Sequence, residues 1–534
     1  MNRTPKIIGL AAALTLTAVT ACTDPTVAPT SSVTGANVFN DPTSYQSYLA
    51  KIYGGLILTG QRGPDGDRDI QGIDEGFGEY LRLYWYLQEM PTDEAVIGWG
   101  DDGLQPLVLG TWGASNAMVN AMYYRIYYQV MLVNEFLRQT TDAKLDARGH
   151  NDPTLRANVH SYRAEARFLR ALSYWHAVDM FGNVPLVTEN DPIGTTPPAQ
   201  STRAAVTAYA ISELQIIKDS LPTFAPGPGT YYARATKAAA HMLLANLYLN
   251  SAVYTGTAKN DSAIIEANLV IGSGASLAPT FKANFSADNN TSPELIFVAA
   301  QDGAKSQTWG GMTFLIHAGC GGSMSAGTYG IDYCWGGYRM KQQTYRRFAT
   351  AADHPAGDAR SAFFYTAGQT DSVISVGDFS SGIAAPKFVN LKANGDTAQQ
   401  RTMVDTDFPI FRLAEAYLIY AEATVRGGAG GNAGTALNYI NLLRARSYGG
   451  ATGNITAPQM TLQFILDERN RELMFEGKRR TDLVRYNLFQ TGTYNWAWKG
   501  NVPGGQALPA GRDLYPLPGN ELIANPNLTQ NPGY

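Results

Sequence analysis

Apolar residues recur at three- and four-residue spacing along much of the chain, which is the pattern of amphipathic α-helices. The clearest example is 155–181, which a Gly-Asn-Val-Pro sequence at 182–185 ends. Its apolar face consists of Ala164, Phe168, Ala171, Trp175 and Val178. The same periodicity predicts further helices at 79–90, 114–139, 202–221, 233–254, 408–426 and 432–446.

The spacing of these helices predicts the fold class. The helices at 202–221 and 233–254 follow at intervals of roughly 30–40 residues, the spacing of tetratricopeptide-type helix pairs. Between the two helical groups, 276–405 lacks this periodicity and is rich in Gly, Ser and Asn, with strand-like runs at 295–298 and 386–391. We therefore predict a mainly α, tetratricopeptide-like helical-repeat scaffold that is interrupted by an irregular insertion with short strands.

This organisation predicts a single domain at 39–534. It has an N-terminal helical part, the irregular insertion, and a C-terminal helical part with its tail, at 39–275, 276–405 and 406–534.

The run 464–486 combines an apolar helical face with many charges. Glu468, Glu472 and Glu476 are four residues apart, and like charges at this spacing repel unless cations lie between them. A solvated charged face is one interpretation. We favour a partly buried ion network that locks two helices and joins Glu472 to Arg485, because arginine forms forked pairs with carboxylates. The predicted network consists of Glu468, Arg469, Glu472, Glu476, Arg479, Asp482 and Arg485.

The N-terminus has the features of an export signal. Arg3 and Lys6 precede a short apolar stretch at 7–19, too short for a permanent membrane span. The sequence Val-Thr-Ala-Cys that ends at Cys22 is the pattern of a bacterial lipoprotein signal. We predict a signal peptide at 1–21, lipidation of Cys22 and a flexible tether at 22–38; the alternative is an ordinary secretory signal with a chance cysteine.

The net charge and the cysteines limit the binding partners and the covalent cross-links that can be expected of this chain. With a formal net charge of −4 over 534 residues, nothing indicates binding to nucleic acid or an anionic membrane surface. Cys320 and Cys334 lie in a glycine-rich stretch of an exported chain, where a disulfide and two free thiols are equally expected.

Metal and cofactor motifs are weak. The acidic triplet at 65–69 resembles a calcium loop, but Ile70 and Gly76 occupy the positions that need Gly and Glu. A solvated loop is the favoured interpretation, a calcium site of other geometry stays open, and we predict no cofactor and no zinc site.

The four carboxylates at 91–103 raise the question of whether this loop is catalytic. A glycosidase needs two carboxylates about 5–10 Å apart across a sugar, and the loop supplies Asp93, Glu94, Asp101 and Asp102. Acids in a glycine-rich loop are more often turn formers, caps or acceptors for sugar hydroxyls, and no nucleophile elbow or phosphate loop occurs. We predict a protein that is not an enzyme.

Aromatic residues in the predicted loops are the stronger functional signal. Sugar rings stack their C–H faces on indole, and neighbouring carboxylates accept their hydroxyls. The alternative is that each ring only closes the core of its own loop. The ligand-binding candidates are Trp99, Asp101, Asp102, Trp309, Tyr333 and Trp335.

Three motifs resemble the SusD/RagB family. The sequence Glu-Arg-x-Arg-Glu-Leu-x-x-Glu-Gly-x-Arg-x-x-Asp-Leu-x-Arg at 468–485 is similar to its C-terminal signature, and the tail 515–534 is similar to its closing motif. The segment 162–186 resembles its most recognisable N-terminal helix.

The resemblance implies a surface-exposed outer-membrane lipoprotein that binds nutrients for a partner TonB-dependent (SusC-like) transporter. It also implies that ligand contacts come from the loop after the Asp-Glu pair and from the mid-chain insertion. Oligosaccharide and oligopeptide ligands both occur in the family. A helical-repeat interaction scaffold and, less favoured, an exported glycoside hydrolase stay open as alternatives.

Overall fold

A computed structural model describes residues 38–60, 62–64, 68–194 and 196–534. The predicted signal peptide, Cys22 and nearly all of the predicted tether lie outside the described residues. The α-helices of the described part are α1 (Thr43–Gly54), α2 (Tyr80–Glu89), α3 (Leu104–Leu109), α4 (Ala117–Gln139), α5 (Asp142–Ala147), α6 (Pro153–Met180), α7 (Arg203–Ile217), α8 (Lys237–Leu249), α9 (Ser251–Thr255), α10 (Asn260–Ile271), α11 (Gly311–Ala318), α12 (Gln342–Tyr345), α13 (Leu413–Val425), α14 (Ala433–Tyr448), α15 (Leu462–Leu473), α16 (Arg479–Arg485) and α17 (Gly519–Ala524).

Short strands form three two-stranded antiparallel sheets in the described residues. In each sheet the partners are far apart in the chain or joined by a long loop. The pairs are β1 (Ala95–Ile97) with β5 (Tyr338–Met340), β2 (Val184–Pro185) with β3 (Gln200–Ser201), and β4 (Leu295–Ala299) with β6 (Phe408–Arg412).

The helices build the predicted repeat scaffold. Within the unit Tyr45–Tyr534, α4, α6 and α7 pack as successive neighbours, as do α8, α10, α13 and α14. Helix α13 packs directly on α10, although about 140 residues separate them in the chain. The stack is therefore continuous across the long irregular segment, and the mainly α, tetratricopeptide-like fold class is confirmed.

Two predicted helices have different boundaries in the structure. Residues Phe408–Arg412 form strand β6 instead of the first turns of a helix, because the residue before Pro409 disfavours the α conformation. The predicted helix 233–254 begins only at Lys237, where Thr236 caps it by accepting the amide of Ala239, and it is divided into α8 and α9.

The predicted strand-like run 386–391 is not a strand. The amide of Val389 donates to Phe285 O (3.0 Å) and that of Asn390 donates to Tyr329 O (2.8 Å). These acceptors lie on two different segments, so no continuous ladder forms, although the run is buried.

The charged run folds into a buried lattice of ion pairs. Glu468, Glu472 and Glu476 are all almost completely inaccessible to solvent. Their cationic partners come mostly from segments distant in the chain. The pairs are Glu468 with Arg360 (2.7 Å), Arg444 (2.8 Å) and Arg471 (2.8 Å); Glu472 with Arg412 (2.7 Å), Arg360 (3.1 Å) and Arg446; and Glu476 with Lys387 (2.5 Å) and Arg412 (2.7 Å).

The arginines of the same run have other partners. Arg479 pairs with Asp93 at 2.7 Å, whereas Arg469 and Arg485 both pair with Asp482, at 2.8 and 2.7 Å. None of the ion pairs in the described residues joins the group around Glu472 to the group around Arg485. The predicted single network therefore consists of separate clusters, since arginines from other segments already neutralise the glutamate stripe.

Candidate functional site

A short antiparallel ladder brings the two aromatic-rich loops together. Ile97 at the end of β1 pairs with Tyr338 at the start of β5. Trp99 follows β1 by two residues and Trp335 precedes β5 by three residues. In this register both tryptophans leave the ladder at the same end. The β1–β5 pair is thus the reason why residues more than 200 positions apart share one site.

A disulfide and three backbone hydrogen bonds hold the second loop. Cys320 and Cys334 are joined, with their Cα atoms 4.8 Å apart. The amides of Trp335, Gly336 and Gly337 donate to His317 O (2.9 Å), Cys320 O (2.8 Å) and Ala318 O (2.9 Å). The loop therefore lies against the C-terminal end of α11, and Trp335 cannot move independently of that helix.

Four of the predicted ligand-binding aromatics form one cluster with Trp335 at its centre. The ring centroid of Trp335 lies 6.2 Å from that of Trp99, 6.1 Å from that of Trp309 and 6.3 Å from that of Tyr333. The three tryptophans are half-buried, while Tyr333 is 52 % exposed. We call Trp99, Trp309, Tyr333 and Trp335 the aromatic platform. His317, in the last turn of α11, stacks on Trp335 with a centroid distance of 4.7 Å.

Arg82, which the sequence analysis did not select, links the parts of this site. Its Nη1 donates to Trp309 O at 3.2 Å, and its Nη2 lies 3.5 Å from a carboxylate oxygen of Asp101. Its guanidinium carbon lies 5.9 Å from the ring centroid of Trp99. A single arginine among the Tyr, Trp and Leu residues of a buried helix, α2, was the sequence signal that could have identified it.

Glu79 fixes α11 beside α2. Its carboxylate caps α2 by accepting the amides of Leu81 (2.9 Å) and Arg82 (2.7 Å), and it also accepts the amide of Gly311 (2.8 Å) at the start of α11. Burial raises the pKa of Glu79 to about 7. One side chain thus orients the two helices that carry Arg82 and the loop of Trp309.

The four carboxylates of the loop at 91–103, which could have included a catalytic pair, have different roles in the structure. Asp93 is buried and pairs with Arg479 (2.7 Å) and Arg347 (3.0 Å). Glu94 accepts the amide of Phe475 at 2.7 Å, and burial raises its pKa to about 7. Asp101 faces Arg82, and Asp102 is exposed on the same turn. The first pair supports the fold, and only Asp101 and Asp102 lie on the loop of Trp99.

The acidic triplet at 65–69 is only partly described, since 65–67 lie outside the described residues. Asp69 pairs with Arg125 at 2.6 Å, so an arginine neutralises it. In the part of the chain that the structure describes, no group of three or more His, Cys, Asp or Glu side chains is arranged to hold a metal ion. The helices described there also lack the combination of length and low polarity that a membrane span requires.

Two family models match the chain. One describes the SusD family and covers residues 335–534, which include the charged run and the tail. The other is described as "Starch-binding associating with outer membrane" and covers residues 107–249.

Curated relatives match over nearly the full length. The chain is 33 % identical to the starch-binding protein SusD of Bacteroides thetaiotaomicron, and the match covers 92 % of each. It is 28 % identical to the SusD-like protein P2 of Formosa agariphila over 79 % of this chain and 82 % of the relative.

Solved structures have the same fold. A laminarin-binding SusD-like protein superposes with a TM-score of 0.68 at 21 % identity, covering 92 % of this chain and 99 % of the other. Surface glycan-binding protein A from Bacteroides thetaiotaomicron, solved with laminarihexaose, gives a TM-score of 0.67 at the same identity and coverage. From its sequence, its family models and its fold, the chain belongs to the SusD family.

Proposed function

We propose that this SusD-family protein captures an oligosaccharide on the aromatic platform. The observation that carries the proposal is the convergence of Trp99, Trp309 and Tyr333 around Trp335, so that four partly exposed rings from three segments of the chain form one surface. Rings of this kind stack on the apolar faces of sugars. Asp101 and Asp102 lie on the loop of Trp99 and would accept sugar hydroxyls, and Arg82 keeps Asp101 in place.

A neutral glucan is the favoured ligand class. By their descriptions, the relative SusD binds starch, one solved structure is of a laminarin-binding protein, and another contains laminarihexaose. Starch and laminarin both present flat, uncharged sugar faces. An oligopeptide is the second candidate, because aromatic rings also receive peptide side chains. The proposal does not include catalysis, because Asp93 and Glu94 are committed to Arg479, Arg347 and the backbone of the charged run.

The proposed cellular role is delivery to a partner TonB-dependent transporter of the outer membrane. Cys22 would carry the lipid that anchors the protein, and the tether at 22–38 would let it reach the cell surface. The match to a family described as associating with the outer membrane supports this location. With Cys22→Ser we expect the protein in a soluble fraction; retention of the variant in the outer membrane would show that the anchor lies elsewhere.

Calorimetry with maltoheptaose, laminarihexaose and a mixture of soluble peptides tests the ligand. We expect micromolar to millimolar affinity for a glucan, because the ligand must be passed on. Trp335→Ala and Trp99→Ala should weaken binding about ten- to hundredfold, equal to about 1–3 kcal/mol. Both variants should keep the circular dichroism spectrum of the wild type.

The matched control is Tyr439→Ala, which removes a half-buried tyrosine on α14, outside the platform. It should bind as the wild type does. If neither tryptophan substitution changes glucan binding, the binding site lies elsewhere on the protein. If peptides bind and glucans do not, the ligand class is an oligopeptide.

A further inference from the structure

Two cavities meet at Tyr232, in a part of the molecule that the platform does not use. One has a volume of about 470 Å³ and the other about 540 Å³. Both are lined by Tyr232 and Ala300, so the two cavities adjoin at these residues. Each volume is within the range of small-molecule binding sites. None of the four platform residues lines either cavity.

The first cavity has an aromatic and apolar wall. Tyr53, Tyr162 and Tyr232 line it together with aliphatic residues of α1 and the segment that follows α1. Tyr53 is fixed in place, because its hydroxyl donates to Glu165 (2.7 Å) and accepts the amide of Ala235 (2.8 Å). Its hydroxyl is therefore already engaged, and the cavity can use only the ring.

The second cavity has a polar wall. Carboxylates and amides dominate it, and its residues Lys392, Thr397 and Gln399 are exposed, so it is open to solvent. Four aspartates line it against one lysine. This balance gives a negative potential that disfavours sulfated or acidic sugars. Hydroxyl groups, by contrast, can donate to carboxylates and exchange hydrogen bonds with amides.

The side chain of Tyr232, which lines both cavities, is held in place by a hydrogen bond. The hydroxyl of Tyr232 donates to Asp407, which also accepts the amide of Gln301 at 2.7 Å. The next residue, Ala233, has φ of +59°, a left-handed conformation that costs free energy in a residue other than glycine. Backbone strain of this kind is concentrated at functional sites such as ligand clamps.

We propose that the cleft around Tyr232 is a second carbohydrate site, which binds a neutral oligosaccharide independently of the platform. The tyrosine rings of the first cavity contact the apolar faces of the sugar. The carboxylates of the second cavity accept hydrogen bonds from its hydroxyls, and the amides there accept hydrogen bonds from them or donate to them. The ligand class is taken from the proposed function, while the position rests on the two cavities alone.

The test uses the full soluble chain carrying Trp99→Ala and Trp335→Ala together, titrated with maltoheptaose and laminarihexaose in calorimetry and ligand-observed NMR. This background should still bind one of the two glucans weakly. Adding Tyr162→Ala or Gln399→Ala should lower the remaining affinity at least tenfold. Gln399 is exposed, so its loss should not affect folding. An oligogalacturonate, which is anionic, should not bind.

The matched control is Tyr439→Ala, a half-buried tyrosine on α14 that lines neither cavity, and it should leave the remaining binding unchanged. Loss of all glucan binding in the double tryptophan background would overturn the second site and leave the platform intact. Residual binding that neither Tyr162→Ala nor Gln399→Ala alters would overturn it too. If the tryptophan substitutions change nothing but the cleft substitutions abolish binding, the platform proposal fails and the second site stands.

Discussion

The buried ion lattice, which consists of Glu468, Glu472, Glu476 and their cationic partners, and the aromatic platform have opposite properties. In the lattice, Glu472 is fully buried and paired with three arginines. In the platform, Tyr333 is half exposed, and its ring lies 5.6 and 6.3 Å from the rings of His317 and Trp335. The comparison indicates that this fold uses charge for internal order, whereas the proposed function assigns recognition to uncharged rings.

The two regions also differ in what holds them. The lattice joins α15 to residues from three other segments, through Arg360, Arg412, Arg444 and Arg446. Buried ion pairs of this kind do not guarantee net stability, but removal of one partner leaves a charge without compensation. The platform lies on loops, and the β1–β5 ladder, the disulfide and Arg82 position it. Damage to the lattice should therefore affect folding, and damage to the platform should affect binding.

The largest expected effect is that of Glu472→Ala on folding. Burial opposes ionisation of Glu472, but Arg446, Arg412 and Arg360 overcome it and hold its pKa below the ordinary value. Alanine leaves these arginines short of a counter-charge, so we expect a loss of about 3–5 kcal/mol in the free energy of unfolding. Urea denaturation measures it, and the glucan affinity of the folded fraction should stay at the wild-type value.

Glu135→Ala is the matched control, because it removes a partly exposed pair with Arg138 within one helix. That pair should contribute less than about 1 kcal/mol. Equal losses from the two variants would show that the lattice acts as a solvated charged face and would break the comparison.

The next largest effect is expected from removal of the disulfide, which should lower both the stability of the protein and its affinity for glucan. Closing a loop of about 15 residues contributes about 3 kcal/mol in the chain-entropy description, and Cys320 and Cys334 close such a loop. The double variant Cys320→Ser/Cys334→Ser should be less stable by up to that amount and should bind glucan more weakly, since Trp335 follows Cys334 directly. A reducing agent should lower the stability and the glucan affinity of the wild type in the same way and should not affect the double variant. If the double variant binds glucan with the affinity of the wild type, the backbone hydrogen bonds alone hold the loop.

The sequence predicted the scaffold better than it predicted the contacts. Helical periodicity located α4, α6 and α14 to within three residues at each end, because these helices bury one continuous face. The β6 strand was missed, since its apolar residues fit either period; Pro409 disfavours a helix there, and pairing with the distant β4 makes the segment a strand. Local pattern therefore determines elements with a long buried face, and tertiary pairing determines the short ones.

The same limit applies to the two compared regions. Tryptophans in glycine-rich loops identified the platform, and the ladder between Ile97 and Tyr338 explains their convergence, although nothing in a local pattern gives that register. The glutamate stripe was visible, but its partners Arg412 and Arg360 lie 60 and 112 residues away from Glu472. Arg82 lies inside the predicted helix 79–90, and the helical pattern there does not show that its guanidinium group faces Trp99.

A smaller effect, which depends on pH, is expected in the separate buried ion cluster of Asp482. Burial opposes ionisation of Asp482, but Arg469 and Arg485 lower its pKa to about 2 from the ordinary 3.8. Because the folded pKa is depressed, the stabilisation is complete above about pH 4 and is lost as the pH falls towards 2. The difference in unfolding free energy between wild type and Asp482→Asn should be about 2 kcal/mol at neutral pH and should vanish near pH 2. A difference that does not change with pH would exclude an ion pair as its cause.

The smallest effect is expected at the edge of the platform. Tyr333 is the most exposed of its four rings, and its backbone carbonyl, not its ring, accepts the hydrogen bond from His317 at 2.8 Å. Tyr333→Ala should therefore leave the unfolding free energy within about 0.5 kcal/mol of the wild type. One partly covered ring contributes about 1 kcal/mol of stacking, so glucan affinity should fall about fivefold, less than for Trp335→Ala. Calorimetry compares the two variants with Tyr333→Phe, which keeps the ring and should bind as the wild type does. If Tyr333→Ala unfolds the loop instead, the ring belongs to the core, and the contrast between a structural lattice and an open platform does not hold at this position.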